Sequence, residues 1–184
     1  LDVLTDSVVR VADFPNPNFR EYPSGKLIQA SNGKLYGLMR TGGANGKGYI
    51  YEYDLVLDTL INKFDFDTNS GEEPIGALYE AANGRLYGIN RLGGFNYRNS
   101  LFEYNISSNS VVKKVDFGYQ FIQSHYGGFF EDTLGILMSH DGRNILTYNY
   151  LTDTLVIKTN FNSIGVSSIA GDLVKTSFGR YYGL

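Results

Sequence analysis

The chain has 184 residues, a net charge of −3, no cysteine and 42% hydrophobic residues, with 15 Tyr, 12 Phe and 22 Gly against 4 Pro. That size and apolar content suit one core-forming domain. The acidic balance argues against a nucleic-acid surface, and the lack of cysteine excludes disulfides and thiolate metal sites. No apolar run approaches the roughly 20 residues of a membrane-spanning helix.

The opening stretch, "LDVLTDSVVRVADF" (1–14), reads as an outer strand, because its wording returns later in the chain. "KLIQAS" (26–31) and "KLYGLMR" (34–40) flank Asn32-Gly33. An Asn-Gly pair between two apolar runs predicts a hairpin, since both residues tolerate positive φ. "GYIYEYD" (48–54) alternates with period two, which predicts a strand. "TLINKFDF" (59–66) places Lys63 and Asp65 on one face, as a solvent-facing fourth strand would. No segment carries a helical period.

The phrase then starts again. "NGKLYGLMRTGG" (32–43) and "NGRLYGINRLGG" (83–94) agree at eight of twelve positions, 51 residues apart. Gly37, Gly88, Gly135 and Gly183 recur at intervals of 51, 47 and 48 residues. "YEYDLVLDTLINKFDF" (51–66), "FEYNISSNSVVKKVDF" (102–117) and "LTYNYLTDTLVIKTNF" (146–161) form a second series, with Asp54, Asn105 and Asn149 in one place. A period near 48 residues of four antiparallel strands predicts a β-propeller, or a propeller segment. The expected units are an outer strand at 1–14, blades at 26–66, 75–117 and 125–161, and a partial blade at 168–184. That tally is 15 strands, one short of four blades, and predicts a window from a longer array.

The pattern G-x-LYG, then a double glycine, then an aromatic strand ending x-Y, resembles the GloVer-type (choice-of-anchor) tandem repeats of bacterial secreted proteins. It is loosely similar to Kelch blades. The third repeat, "TLGILMSHDGRNILTYN" (133–149), lacks the tyrosine and the double glycine. The resemblance implies a propeller-like fold and a secreted or cell-surface setting, and it implies no catalytic residues.

Architecture accounts for the repeated positions. Gly37 and Gly88 are expected where a side chain would collide with a neighbouring sheet, Tyr36 and Tyr87 between blades, and Glu52 and Glu103 beside them. His125 and His140, the two histidines, both fall in predicted loops with no third ligand in view. "DFDTNSGEE" (65–73) imitates a calcium loop, but Gly71 is one place late and strands flank it. "SHDGR" (139–143) imitates a sialidase Asp-box turn without the tryptophan. No metal, cofactor or catalytic site is assigned.

A ligand would meet the face shared by the loops at 41–47, 92–99 and 140–144 and those at 15–25, 67–74, 118–128 and 162–168, since loops on a rigid scaffold carry binding. Candidate contacts there are Arg40, Arg91, Phe95, Tyr97, Tyr22, Tyr119, His125 and His140, with tyrosine and arginine the usual hot-spot chemistry. The sequence supports a non-catalytic module binding protein or glycan in adhesion or surface assembly. Its rival is an accessory propeller of a secreted enzyme whose catalytic residues lie elsewhere.

Overall fold

The computed structural model describes residues 13–14, 21–117, 128–141, 143–160, 163, 165 and 173–182. Three four-stranded antiparallel sheets follow one another along the chain. The first is β1 (Pro23–Gln29), β2 (Leu35–Met39), β3 (Tyr49–Asp54) and β4 (Thr59–Asp65). The second is β5 (Glu72–Glu80), β6 (Leu86–Leu92), β7 (Ser100–Asn105) and β8 (Ser110–Asp116). The third is β9 (Phe130–Thr133), β10 (Ile136–His140), β11 (Asn144–Asn149) and β12 (Thr154–Asn160). A hairpin, β13 (Val174–Lys175) and β14 (Tyr181–Tyr182), comes last. Each sheet is a meander in chain order, and the fold is all-β and propeller-like. No described residue is α-helical.

The Asn-Gly signal does what its backbone chemistry dictates. Ala30 donates its amide to the Lys34 carbonyl at 2.9 Å, and Gly33 donates to Ala30 at 2.8 Å with φ +82°. The same pair of bonds closes Ala81–Arg85 and Thr176–Arg180. Asn32 Oδ1 accepts the Lys34 amide, while its Nδ2 reaches the Tyr36 hydroxyl at 2.9 Å. The second series has its own turn. Asp54, Asn105 and Asn149 each accept the amide two residues on, at 2.9, 3.0 and 2.9 Å. Asp58, Asn109 and Asp153 then take left-handed φ and receive the hydroxyls of Tyr53, Tyr104 and Tyr148. Aspartate and asparagine pay little for that conformation, which is why the phrase repeats.

Packing between sheets supplies the core. One cluster joins Tyr36, Leu38, Ile50 and Phe66 of the first sheet to Leu86, Phe102 and Tyr104 of the second. The next joins Tyr87, Leu101 and Phe117 to Leu137, Leu146 and Tyr148 of the third. Phe66 meets Phe102 edge-on at 5.0 Å, and Phe14 meets Tyr51 edge-on at 5.2 Å. Each such pair adds about 0.5–1.5 kcal/mol beyond area burial. Two polar latches span the same boundaries: Ser31 donates N–H and O–H to Glu80 at 2.7 and 2.6 Å, and the Ala82 amide donates to Glu131 at 2.7 Å. Both span 49 residues, so the sequence period reappears as one inter-sheet bond.

Tyr36 and Tyr87 lie between sheets, 6.4 Å from Tyr104 and 6.0 Å from Tyr148. Their hydroxyls donate to Glu52 at 2.5 Å and Glu103 at 2.9 Å. Lys34 and Lys63 close on Glu52, and Arg85 and Lys114 on Glu103. Burial alone would raise the Glu52 carboxyl, but Lys34 and Tyr36 outweigh it and hold it below the usual carboxylate range.

Several expectations need correction. Gly37 and Gly88 make room within their own sheets, not for a neighbouring one. A Cβ on Gly37 would stand 2.3 Å from the ring of Tyr51, its cross-strand partner, and one on Gly88 would stand 2.4 Å from Phe102. Gly135 is not their counterpart: it forms the β9–β10 turn at φ +91°. The third sheet meets the same need with different sizes, pairing Ser139 with Leu146 and Met138 with Thr147. His140 ends β10 instead of lying in a loop, and strands begin earlier than expected at Pro23 and Glu72. The stretch 1–12 lies outside the described residues, as do 125–127.

Candidate ligand-binding surfaces

Two arginines expected on the loop face converge on a residue the sequence did not single out. Arg40 follows β2, Arg91 lies in β6, and Glu73 lies in β5. Glu73 Oε2 accepts Arg40 Nε at 3.1 Å, Arg40 Nη2 at 2.9 Å and Arg91 Nε at 2.7 Å. The Arg91 hydrogen bond, foremost, with Arg40 holds the Glu73 carboxyl below its ordinary range against the opposing effect of burial. Glu73 sits at φ +52°, which costs a non-glycine residue free energy. Its amide donates to the Lys47 carbonyl at 2.8 Å, and Lys47 pairs through its ammonium with Glu72. The arginine side chains remain 42% and 35% exposed, against 24% for Glu73.

Tyr97 stands in the loop that leaves β6. It is 82% exposed, and both it and Asn96 adopt left-handed φ, +57° and +54°. Tyr22 is 51% exposed, and its carbonyl accepts the Arg40 amide at 2.8 Å. Tyr22 and Arg40 thus flank the ends of β1 and β2 in the first sheet, and Arg91 and Tyr97 the end of β6 and the loop after it in the second. Phe95 belongs to the 3-10 turn Phe95–Tyr97 by its backbone. Tyr119 and His125 lie outside the described residues. His140 departs from expectation: it is 1% exposed, opposite Ile145, because its segment is a buried strand. It therefore offers a ligand no surface.

A second surface was not legible in the sequence. Lys26 and Ile28 of β1, Tyr79 and Glu80 of β5, Phe130 of β9 and Val174 of β13 line a cavity of about 560 Å³. It is the space around which the first strands of successive sheets gather. Tyr79, in its wall, accepts the Glu131 amide of β9 at 3.0 Å. The usable signal was the place just before each hairpin turn, held by Gln29, Glu80 and Lys175, with Glu131 in the third repeat.

The acidic loop at 65–73 is a closed turn. Asp67 Oδ1 accepts the Asn69 amide at 3.0 Å, and the Ser70 amide and hydroxyl at 2.8 and 2.7 Å. Asp65 accepts Ala44 and Asn62. Asp141 of the "SHDGR" segment is buried and binds the Arg143 and Asn144 amides. Among the described residues, no group of three or more His, Asp or Glu stands ready to hold a metal ion. No described helix is long and apolar enough to cross a membrane.

No family model and no curated protein matches the chain. Solved structures do. The extracellular domain of the hybrid two component system BT3049 from B. thetaiotaomicron aligns with a TM-score of 0.57 at 15% identity, covering 88% of this chain and 20% of that one. The extracellular domain of the hybrid two component system BT4673 from the same organism aligns with a TM-score of 0.52 at 15% identity, covering 86% and 22%. TolB from Acinetobacter baumannii gives 0.51 at 17% identity, covering 87% and 36%. The chain thus spans a fifth to roughly a third of the length of these neighbours. At such identities the likeness concerns the fold: an all-β, propeller-like architecture that bacterial extracellular domains also use.

Proposed function

We propose that this chain is a non-catalytic binding module of a secreted or cell-surface bacterial protein, with its ligand, a glycan or a protein, taken on the loop face. Tyr97 carries this reading. A tyrosine left 82% exposed and itself held in left-handed conformation, next to the tolerant Asn96, gains nothing for folding and costs on the order of 1–3 kcal/mol at Tyr97. Strain of that kind persists where a side chain is presented for contact. Arg40, Arg91 and Tyr22 border the same face and add hot-spot chemistry.

The module works as part of a larger array, with more blades of the GloVer-like or Kelch-like kind completing the ring. Its extracellular neighbours favour a setting outside the cytoplasm. Adhesion or surface assembly is the role that fits a rigid scaffold with decorated loops. The test is a glycan array and a surface-protein panel probed with the chain, then with Tyr97→Ala. A ligand lost in the variant supports the module. Equal binding by both proteins rejects the loop face. Substrate turnover by the longer protein that slows when Tyr97 is replaced would point instead to a substrate platform of a secreted enzyme.

A further inference from the structure

The structure assigns to the Arg40–Glu73–Arg91 triad the recognition of a carboxylate, and we infer that the ligand is a saccharide carrying uronic-acid residues. This inference rests on the loop face being the binding surface.

A structural ion pair between neighbouring sheets needs one arginine. Here two guanidiniums, one from each of two sheets, meet on a single carboxylate oxygen at 2.7–3.1 Å. The triad holds one positive charge more than Glu73 neutralises. Each guanidinium has five donors; Arg40 directs two at Glu73 and Arg91 directs one. Most of each fork therefore points elsewhere, and both side chains are open to solvent. Planar forks match a carboxylate's two oxygens better than any other anion-binding side chain does.

Glu73 sets this geometry in advance. It is anchored through the Lys47 carbonyl, beside the Glu72–Lys47 ion pair, and held in a left-handed conformation. The forks are thus positioned before a ligand arrives, which lowers the ordering cost of binding. The chain as a whole carries −3, so an anion is not drawn to it at long range. Recognition must act within a Debye length, about 8–10 Å, at a local cationic pair.

The surroundings fit a sugar. Tyr22 is bonded through its carbonyl to the Arg40 backbone, and Tyr97 stands in the loop that Arg91 enters. An exposed tyrosine ring offers a flat apolar face with a polar tip, which suits the C–H face of a pyranose, while the forks take the carboxylate at its edge.

The experiment is calorimetric titration with a fixed panel: oligomers of polygalacturonate, alginate and hyaluronan, against the carboxyl-reduced neutral form of each. At least one acidic oligomer should bind tenfold or more tightly than its neutral form. Raised salt should weaken it, and Arg91→Ala should weaken it tenfold or more. Glu73→Gln should tighten it several-fold, because the competing carboxylate is gone while its shape remains. A merely structural triad predicts no gain from Glu73→Gln. Arg91→Lys, with an unchanged melt, guards against misfolding and should retain part of the affinity. Binding of acidic and neutral forms alike, lost in Tyr97→Ala, overturns the carboxylate site and leaves the loop face standing. Acid-selective binding that neither Arg91→Ala nor Glu73→Gln alters overturns the triad as its source. Binding to nothing in the panel overturns this inference and leaves the loop-face reading to the surface-protein panel, whereas binding that Arg91→Ala and Tyr97→Ala both leave untouched overturns the two together.

Discussion

Replacing Gly88 by serine copies into the second sheet the residue that the third sheet carries as Ser139. In the second sheet the cross-strand partner is Phe102; in the third it is Leu146. A Cβ on Gly88 would lie 2.4 Å from Phe102 Cζ, 2.8 Å from its Cε1 and 3.1 Å from Leu78 Cδ2. Carbon contacts settle at about 3.5–4.0 Å, so the ring must retreat by roughly 1 Å. Phe102 is fully buried and braced edge-on against Phe66 at 5.0 Å, which blocks the retreat. Over-packing of this kind costs about 1–3 kcal/mol, and the blocked ring places Gly88→Ser near the upper end. Loss of glycine's unfolded-state freedom returns up to about 1 kcal/mol. The net is about 2 kcal/mol, a fall in Tm of about 4–8 °C for a chain of this length. Phe102→Leu shortens the opposing ring to the size used in the third sheet. Denaturant melts of the wild type, both single variants and the double variant form a cycle. The double variant should be more stable than additivity predicts, by about 1 kcal/mol or more. Additivity within about 0.5 kcal/mol, or a neutral Gly88→Ser, would refute the claim that glycine and aromatic are matched in size.

Acid should weaken the fold through Glu52. Its folded-state pKa is depressed, so its contribution is present above the ordinary glutamate value of about 4.3 and is lost as pH falls through the lower folded value. Calorimetry on Glu52→Gln should show a shallower loss of Tm below about pH 4.5; parallel curves would count against the network. Glu131→Ala removes the acceptor of the Ala82 amide, the Gly135 amide and the Tyr150 hydroxyl. A loss of about 1–3 kcal/mol should follow, because the part-buried Gly135 amide and Tyr150 hydroxyl are left unpaired while the exposed Ala82 amide turns to water, and hydrogen exchange at Ala82 should quicken. Protection at Ala82 equal to the wild type's would show that the latch is idle. Calcium and a chelator should give the same Tm, since Asp67 is occupied by Asn69 and Ser70. A shift of several degrees would restore the calcium loop.

Local chemistry made much of the architecture readable. Asn-Gly turns, period-two tyrosines and the Asp54/Asn105/Asn149 turns act within a few residues of themselves, so their signal survives in a linear string. Where the readings failed, the cause was distance. Gly135 was aligned with Gly37 by its neighbours in sequence, but cross-strand register makes Ser139 the counterpart. Nothing in "SHDGR" announces that His140 is strand and core, because burial there comes from sheet packing.

The sequence by itself determined that this protein is a repeated four-stranded unit, since each hairpin is written in residues whose φ preferences are intrinsic. It also marked Arg40 and Arg91 as equivalents, 51 residues apart. Only the tertiary structure decided that the two arginines share Glu73, that Glu80 and Glu131 latch successive sheets, and that Tyr79 and Phe130 face one cavity. Each of these joins residues through the stacking of one sheet on the next. That stacking is set by side-chain size and charge across a boundary the chain reaches dozens of residues later, where local propensity has no say.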